Sequence, residues 1–325
     1  MKLSRRPRRL RDLTSARSMV RECNLRKEDL ILPIFVSDHC ESKESIESMP
    51  EVYRWSIDAL LEQINSWYKI GLNAFALFPC VQNQNKCPFG KEALNPNSVC
   101  YRAAKKIKDR YPDILLIADL ALDPFTDHGH DGILDSSGNV DNDLTVEALC
   151  KSAVIAADSG FDIVAPSDMM DGRVGQIRHS LDSAGFEKIA ILAYSAKFCS
   201  SYYGPFRDAI SSTQRNPIDK SGYQLDPSNF REAMLELDLD EKEGADILMV
   251  KPAEPYLDII KSAKERSLLP VAAYQVSGEY SRIWAASKLG WLDLDRCAME
   301  SLICIKRAGA DLILTYFAER IVTRL

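Results

Sequence analysis

The sequence predicts an α/β protein in which eight β/α units close into a parallel barrel. Four stretches repeat one pattern, in which a helical segment ends in glycine and is followed by a polar residue and an apolar run: KIGLNAFALFP, DSGFDIVAPS, KEGADILMVKP and RAGADLILTYF. The apolar runs are continuous rather than alternating, as expected for strands that helices cover on both faces. A chain of 325 residues can form such a barrel, which takes about 250 residues.

Eight apolar runs are the candidate strands, and helical segments lie between most of them. The runs span residues 29–36, 74–79, 114–120, 161–167, 189–197, 245–251, 270–277 and 310–317. The glycines that suit the left-handed end of a helix are Gly71, Gly160, Gly244 and Gly309. We therefore predict a (β/α)8 TIM barrel over residues 29–325, with an N-terminal extension arm over residues 1–28. The alternative is an open doubly wound sheet, but a glycine-rich phosphate-binding turn is absent from the sequence.

Two helices can be placed from the spacing of their apolar residues. Over residues 56–70, with Ser56 as the predicted N-cap, one face carries Ile57, Leu60, Leu61, Ile64 and Tyr68. Over residues 293–308, one face carries Leu294, Cys297, Ser301, Leu302 and Ile305. Two long polar stretches, 119–143 and 198–228, do not fit the repeat. Long loops after barrel strands lie on the catalytic face, so we predict that both are site loops or lids.

Composition and charge argue against several classes of protein. A net charge of −6 gives no reason to expect a nucleic-acid partner. No apolar run approaches the roughly 20 residues of a membrane-spanning helix, so no membrane role is expected. Nine cysteines without a C-x-x-C pair fit the reduced thiols of a cytoplasmic protein. The basic N-terminus lacks the apolar core of a secretory signal. The alternatives are a transit peptide, which Asp12 argues against, and an arm that docks on another subunit.

Two lysines end neighbouring predicted strands. Lys197 closes IAILAYSAK and Lys251 closes ADILMVK, at positions where side chains line the active site of a barrel. A buried lysine near a second cation has a lowered pKa and becomes an amine nucleophile toward carbonyl carbons. The alternative is that each lysine extends to the rim as an ion-pair partner. Two lysines at adjacent strand ends favour an amine-catalysed condensation or cleavage of keto substrates.

Polar residues on the two long loops, and at other strand ends, are further candidates. The loop after the third strand, ADLALDPFTDHGHDG, carries Asp119, Asp123, Asp127 and Asp131. These carboxylates could bind a hard cation or a substrate ammonium, or could form a solvated turn. The H-x-H pair within this loop is weak evidence for a zinc hydrolase, because the chain has only four histidines. Cations on the second loop could close over substrate carboxylates; the candidates are Arg207 and Lys220, with Gln224 nearby.

Four sequence blocks resemble the porphobilinogen synthase family. They are GADILMVKPAEPY (244–256), VAPSDMMDGR (164–173), YSAKF (194–198) and YYGPFRDA (202–209), and the similarity runs from about residue 5 to the C-terminus. The resemblance implies condensation of two 5-aminolevulinate molecules to porphobilinogen with loss of two waters, an early step of tetrapyrrole (heme) biosynthesis. Lys251 would form a Schiff base with one substrate and Lys197 with the other. Asp119 would act near the free amino group.

The same resemblance implies roles for residues around the lysines. The carboxylate of the substrate on Lys197 would be held by Ser277 and Tyr316. The carboxylate of the substrate on Lys251 would be held by Arg207, Lys220 and Gln224. The lid would be packed by Phe206 and Tyr203, and the surroundings of the lysines would be supported by Ser167 and Asp168.

The resemblance also bears on metals and assembly. The zinc-dependent branch of the family has three cysteines where this chain has Ala121, Asp123 and Asp131. Because carboxylates suit hard cations, the chain is similar to the aspartate-rich, magnesium-stimulated branch, and no catalytic Zn²⁺ is expected. An allosteric Mg²⁺ at a subunit interface is implied at Glu236, and a homo-octamer is implied by the arm. The alternatives are a single-lysine Schiff-base aldolase and a non-catalytic barrel scaffold.

Overall fold

Each of three β/α repeats begins with a glycine that ends a helix and an aspartate two positions later. The glycines have φ of +93°, +102° and +128° and are Gly160, Gly244 and Gly309. Each aspartate carboxylate accepts a backbone N–H from the preceding barrel strand at 2.7 or 2.8 Å, in the pairs Asp162–Leu116, Asp246–Ile191 and Asp311–Val271. The polar residue of the sequence repeat therefore ties neighbouring strands together where they begin.

The computed structural model describes residues 3–210 and 218–325. Residues 1–2 of the predicted arm and 211–217 of the predicted lid loop lie outside the described residues. In chain order the elements are α1 (Thr14–Met19), β1 (Leu30–Ser37), β2 (Lys43–Ser45), β3 (Tyr53–Trp55), α2 (Ile57–Lys69), β4 (Ala74–Cys80), α3 (Val99–Arg110), β5 (Leu115–Leu120), α4 (Asn142–Asp158), β6 (Ile163–Pro166), α5 (Arg173–Ser183), β7 (Ala190–Lys197), α6 (Gly204–Ala209), α7 (Phe230–Lys242), β8 (Ile247–Lys251), α8 (Leu257–Arg266), β9 (Val271–Gln275), α9 (Ser277–Lys288), α10 (Leu294–Ala308), β10 (Leu312–Thr315) and α11 (Ala318–Val322).

Eight of the described strands form a closed parallel barrel. Their order is β1, β4, β5, β6, β7, β8, β9 and β10, and β10 pairs with β1 so that Leu30 lies opposite Ile313. The predicted (β/α)8 barrel and its eight strands are confirmed. The strands end earlier than predicted in the last two units, because a helix or turn begins there. Ser277 is therefore the first residue of α9, and Tyr316 follows β10.

A short antiparallel hairpin, formed by β2 and β3, was not predicted from the sequence. β3 also pairs in parallel with the carboxyl end of β1, with Arg54 opposite Phe35. Strands of three residues are too short to show a period, so no sequence pattern marks them. The hairpin places Arg54 on the catalytic side of the barrel, beside the loop that follows β7.

The predicted helix over residues 56–70 is observed as α2. The Ser56 hydroxyl accepts a hydrogen bond from the Ala59 N–H at 3.4 Å, so the predicted N-cap is confirmed. The predicted buried face is wrong at its end: Trp67 is 3% exposed, whereas Tyr68 is 42% exposed. Positions 57, 60, 64 and 67 follow the helical period, and Tyr68 has rotated past the barrel wall.

The N-terminal arm precedes the barrel, and among its described residues only the last ones, such as Leu25 and Lys27, contact it. Helix α1 buries none of its residues, and several apolar side chains of the arm are exposed, among them Leu3, Leu10, Leu13, Met19 and Val20. Its predicted role in subunit contacts stays a prediction. No helix in the described parts of the chain is long and apolar enough to cross a membrane.

Candidate active site

Lys197 and Lys251 end neighbouring strands in register. β7 and β8 are parallel, and the two lysines are direct partners across them. Both are buried, with exposed fractions of 5% and 8%. They line one cavity at the carboxyl ends of the strands. The same cavity is lined by all the other predicted catalytic and substrate-binding residues: Asp119, Asp123, Asp131, Ser167, Tyr203, Phe206, Arg207, Lys220, Gln224, Ser277 and Tyr316.

Aromatic rings surround the amine of Lys251. Its Nζ lies 4.7 to 5.5 Å from four ring centroids, those of Tyr194, Tyr203, Phe206 and Tyr274. Burial lowers the pKa of Lys251 to about 7, and the positive charge of Lys197 acts in the same direction. A substantial fraction of this amine is therefore neutral and nucleophilic near neutral pH.

Lys197 lies among oxygen atoms instead. Its Nζ lies 3.4 Å from Oδ1 of Asp131 and donates a hydrogen bond to the backbone carbonyl of Ser167. Burial alone would raise the pKa of Asp131, but the charges of Lys197 and Lys220 lower it below the ordinary value for a carboxyl group. Asp131 is therefore a carboxylate that two cations share.

The second cation is Lys220, which comes from the loop after β7. Its Nζ lies 3.2 Å from Oδ2 of Asp131 and 3.6 Å from Asp123. Gln224 Nε2 donates to the same Oδ2 of Asp131 at 3.2 Å. In the described residues, Lys220 and Gln224 are therefore already paired with carboxylates of the protein. A substrate carboxylate would compete with Asp123 and Asp131 for these two donors.

The predicted pairing of carboxylate clamps with lysines stays a prediction, and the geometry of the described residues favours the opposite pairing. Lys220 and Gln224 reach Asp131, the partner of Lys197, and so belong to the Lys197 side. Tyr316 shares a hydrogen bond of 2.9 Å with Tyr274, whose ring lies against the Lys251 amine. The strand order is the reason. β9 and β10 continue the barrel from β8, whereas the Lys220 loop extends over β7 toward the loop after β5.

Asp119, near the end of β5, combines burial with an unused oxygen. Burial raises the pKa of Asp119 to about 6, against the opposing charge of Lys251. Within the described residues its Oδ1 is buried and has no hydrogen-bond partner. A carboxyl group in this state can hold an ammonium or exchange a proton close to both lysines.

The first part of the predicted lid folds over Lys251. The backbone N–H of Phe206, on α6, donates to the Ser277 hydroxyl at 3.0 Å, and that hydroxyl donates to the Tyr202 carbonyl at 3.4 Å. A Cβ atom at Gly278 would lie 2.4 Å from the Tyr202 carbonyl oxygen, so only glycine allows this close approach. The start of α9 therefore serves as the docking point for the lid.

The two tyrosines beneath Lys251, Tyr194 and Tyr274, were not predicted from the sequence. Both stand inside continuous apolar runs, where aromatic residues are typical of the core. The residue pairing between β7 and β8 shifts between Ala193 and Ala196, so simple alternation along the strand does not predict which side chains face the lysine. Other lining residues that were not predicted are Phe78, Cys199, Ser200, Ile218 and Val276.

Two further predicted residues lie away from the lysines. Asp168 is fully buried, accepts the Met170 N–H at 2.7 Å and lies 3.6 Å from Arg173, so its support of the lysines is indirect. Glu236 lies on α7, outside the cavity. Burial raises its pKa to about 7, as do neighbouring carboxylates, against the opposing charge of Arg173.

Comparisons with known proteins agree along nearly the whole chain. Residues 4–324 match the family model for delta-aminolevulinic acid dehydratase. The delta-aminolevulinic acid dehydratase of Chlamydia pneumoniae is 49% identical over 323 residues, which is 99% of this chain and 97% of that protein. The chloroplastic protein of the same name from Oryza sativa subsp. japonica is 48% identical over 320 residues, or 98% of this chain and 74% of that protein.

A solved structure shows the same relationship. The delta-aminolevulinic acid dehydratase (porphobilinogen synthase) of Toxoplasma gondii, in complex with the reaction product porphobilinogen, superimposes with a TM-score of 0.97. Its sequence is 46% identical, and the match covers 99% of this chain and 92% of that one. Because family model, relatives and fold all agree, the chain belongs to the delta-aminolevulinic acid dehydratase family.

Proposed function

We propose that this chain is a porphobilinogen synthase, a lyase that joins two 5-aminolevulinate molecules with loss of two waters. The observation that carries the proposal is the pair of buried lysines, partners across β7 and β8, in one cavity. Two amines that share one cavity suit a reaction that must activate two keto groups at once. The relative from Toxoplasma gondii was solved with porphobilinogen bound.

Each lysine would condense with the keto group of one substrate and release one water. Attack requires a neutral amine, which the burial of Lys251 and the positive charge of Lys197 favour. Loss of a proton beside one imine gives an enamine carbon, which attacks the other activated carbon. The lysine on the attacked carbon is then eliminated as the neighbouring carbon loses a proton. The remaining substrate amine attacks the other imine carbon, and the second lysine leaves as further proton loss forms the pyrrole. Holding both substrates within reach of each other would be the main contribution to the rate.

The charged and hydroxyl groups of the cavity would fix the two substrates in different orientations. The carboxylate of the substrate on Lys251 would bind the hydroxyls of Ser277 and Tyr316. The carboxylate of the substrate on Lys197 would bind the lid residues Arg207, Lys220 and Gln224. Asp119 would hold or deprotonate a free amino group, because its Oδ1 is available among the described residues.

The product assay separates this proposal from its alternatives. Incubation with 5-aminolevulinate should yield porphobilinogen, detected as a coloured pyrrole adduct, and borohydride should fix substrate mass on Lys197 and Lys251. The control is Lys261→Ala, at an exposed lysine paired with Glu265, which should behave as wild type. Trapping at one lysine without a pyrrole would favour an aldolase, and no binding at all would favour a scaffold.

Mg²⁺ binding at Glu236 is also proposed, as an allosteric site at a subunit interface. Burial raises the pKa of Glu236 to about 7, and Asp240, Asp171 and Glu232 add negative charge, so a cation nearby would relieve this repulsion. No group of three metal-binding side chains exists among the described residues, so water would supply most ligands, as Mg²⁺ prefers. When bound, the ion would supply positive charge that stabilises the interface.

Chelation tests the metal proposal. After EDTA treatment, Mg²⁺ should restore activity, and Glu236→Gln should abolish that stimulation, whereas Glu241→Gln on the same helix should retain it. Recovery with Zn²⁺ alone would contradict both the magnesium site and the expected lack of catalytic zinc.

The exposed apolar side chains of the arm support docking on a second copy of the chain, within a proposed homo-octamer. Light scattering of the full chain and of a chain without residues 1–20 would measure this. An unchanged particle mass in the shortened chain would contradict it. A cytoplasmic location stays a prediction.

A further inference from the structure

Arg54 binds the carboxyl end of α6 from outside the barrel. It lies on β3, in the hairpin that no sequence pattern marks, and is only 7% exposed. Its Nε donates to the Ala209 carbonyl at 2.7 Å, and one terminal nitrogen donates to the Asp208 carbonyl at 2.5 Å. Its other terminal nitrogen donates to Glu44 on β2 at 3.0 Å. One side chain thus connects the hairpin to the end of α6.

The bonded atoms are two of the last carbonyl oxygens of a short helix, and the Cys80 thiol also donates to the Ala209 oxygen, at 3.3 Å. The last carbonyls of a helix have no intrahelical donor, and a cation there is favourable. The guanidinium group is planar and carries several donors in a fixed arrangement, so it can satisfy two adjacent carbonyls together. A lysine could reach one of them but could not hold both in this geometry.

The helix that Arg54 holds delivers two side chains to the cavity. The Phe206 ring lies 5.5 Å from the Lys251 amine, and Arg207 lines the same cavity. The other end of α6 docks on the start of α9, through the Phe206 N–H and the Ser277 hydroxyl. The position of Phe206 over Lys251 is therefore fixed from both ends of α6.

We propose that Arg54 is a positioning residue that fixes Phe206 and Arg207 over the cavity and thereby keeps water from Lys251. Arg54 does not line the cavity, so it acts through α6. The inference rests on the proposed function for its kinetic test, although its chemical test on Lys251 is independent of product formation.

The kinetic test is a double-mutant cycle. Arg54→Ala should lower kcat/KM about 10²-fold, the scale expected when reacting groups are misplaced from a distance. Arg54→Lys should recover part of the loss. Because Arg54 acts through Phe206, the fold loss in kcat/KM of the double variant Arg54→Ala/Phe206→Ala should be far smaller than the product of the two single losses. The matched control, Arg102→Ala, removes an exposed arginine that pairs with Asp38 and should leave kcat/KM unchanged.

The chemical test reads the amine of Lys251 directly. With levulinate, the amine adds to the C4 carbonyl, water leaves, and cyanoborohydride delivers hydride to the imine carbon, giving a stable secondary amine. The pH at half-maximal labelling should rise by about one unit in Arg54→Ala and in Phe206→Ala, because water would reach the amine. The groups that face Lys251 and stay in place are Lys197, Asp119, Asp123, Asp131, Tyr194, Tyr203, Tyr274 and Tyr316.

Three outcomes decide the proposal. A raised labelling pH with non-additive losses supports it. Wild-type labelling pH in Arg54→Ala, or additive losses, overturns it and makes Arg54 a purely structural residue. If Arg54→Ala does not fold, Arg54→Lys decides the question. The pH at half-maximal labelling of Lys251 should rise in this variant too, by a smaller amount. A wild-type protein that labels at Lys251 but makes no porphobilinogen refutes the proposed function and leaves the test of Arg54 intact.

Discussion

The two halves of the cavity surround a lysine with different chemical groups, aromatic rings in one half and a carboxylate in the other. Lys251 is enclosed by aromatic rings, and burial lowers its pKa to about 7. Lys197, its partner across the sheet, lies 3.4 Å from Asp131, a carboxylate that Lys220 also approaches. Among the described residues, the Lys251 half excludes water and places no opposite charge in contact with the amine, whereas the Lys197 half supplies a shared carboxylate.

The difference shows how one fold can give two lysines distinct tasks. Burial favours the neutral amine, whereas a carboxylate at contact distance favours the ammonium. We infer that Lys251 is ready to attack as it stands.

The largest expected effect comes from removing either amine. Lys251→Ala should lower product formation by at least about 10⁴-fold, the scale seen when a catalytic nucleophile is lost. Lys197→Ala should also cripple the enzyme, and circular dichroism should show both variants folded. Near-normal porphobilinogen formation in either variant would contradict the two-lysine assignment.

Asp131→Asn tests the acidic half alone. The amide cannot balance Lys197 and Lys220, so both cations lose their shared partner, and kcat/KM should fall about 10²- to 10³-fold. Labelling of Lys251 by levulinate should persist, because its aromatic surroundings are unchanged. If Asp131→Asn lowered the labelling of Lys251 as much as it lowers kcat/KM, the two halves of the cavity would not act separately.

Replacement of each lysine by methionine should change stability in opposite directions. Lys197→Met leaves a buried carboxylate short of one cation and should lower the free energy of unfolding by about 3 kcal/mol. Lys251→Met removes a buried amine that has no ion-pair partner among the described residues, and it should raise the free energy of unfolding by about 1 kcal/mol. Urea denaturation at one protein concentration measures both; a shift of the same sign in both variants would break the comparison.

The smallest effect concerns pH and involves Lys251 only. Its pKa is lowered to about 7, and only the neutral amine attacks. Labelling by levulinate should therefore fall about tenfold per pH unit below that value and level off above it. Nα-acetyl-lysine under the same conditions provides the reference for an unburied amine, and an identical pH profile would show that burial has no influence.

The sequence by itself determined the barrel and the place of its chemistry. Glycine, a polar residue and an apolar run recur in four of the β/α units, and Asp162, Asp246 and Asp311 each bond to the barrel strand that precedes their own. Because parallel strands align their carboxyl ends at one face, the positions of Lys197 and Lys251 in the chain are enough to place the two amines together.

Only the tertiary structure decided how the loops meet over that face. Asp131 contacts Lys197 across 66 residues of sequence, and Arg54 reaches Ala209 across 155. Neither contact follows from a helical or strand period, since it depends on how irregular loops pack against each other. For this reason the predicted site residues lie together in one cavity. Three features required the folded chain: which clamp lies near which lysine, the tyrosines under Lys251, and the hydrogen bonds of Arg54 to the end of α6.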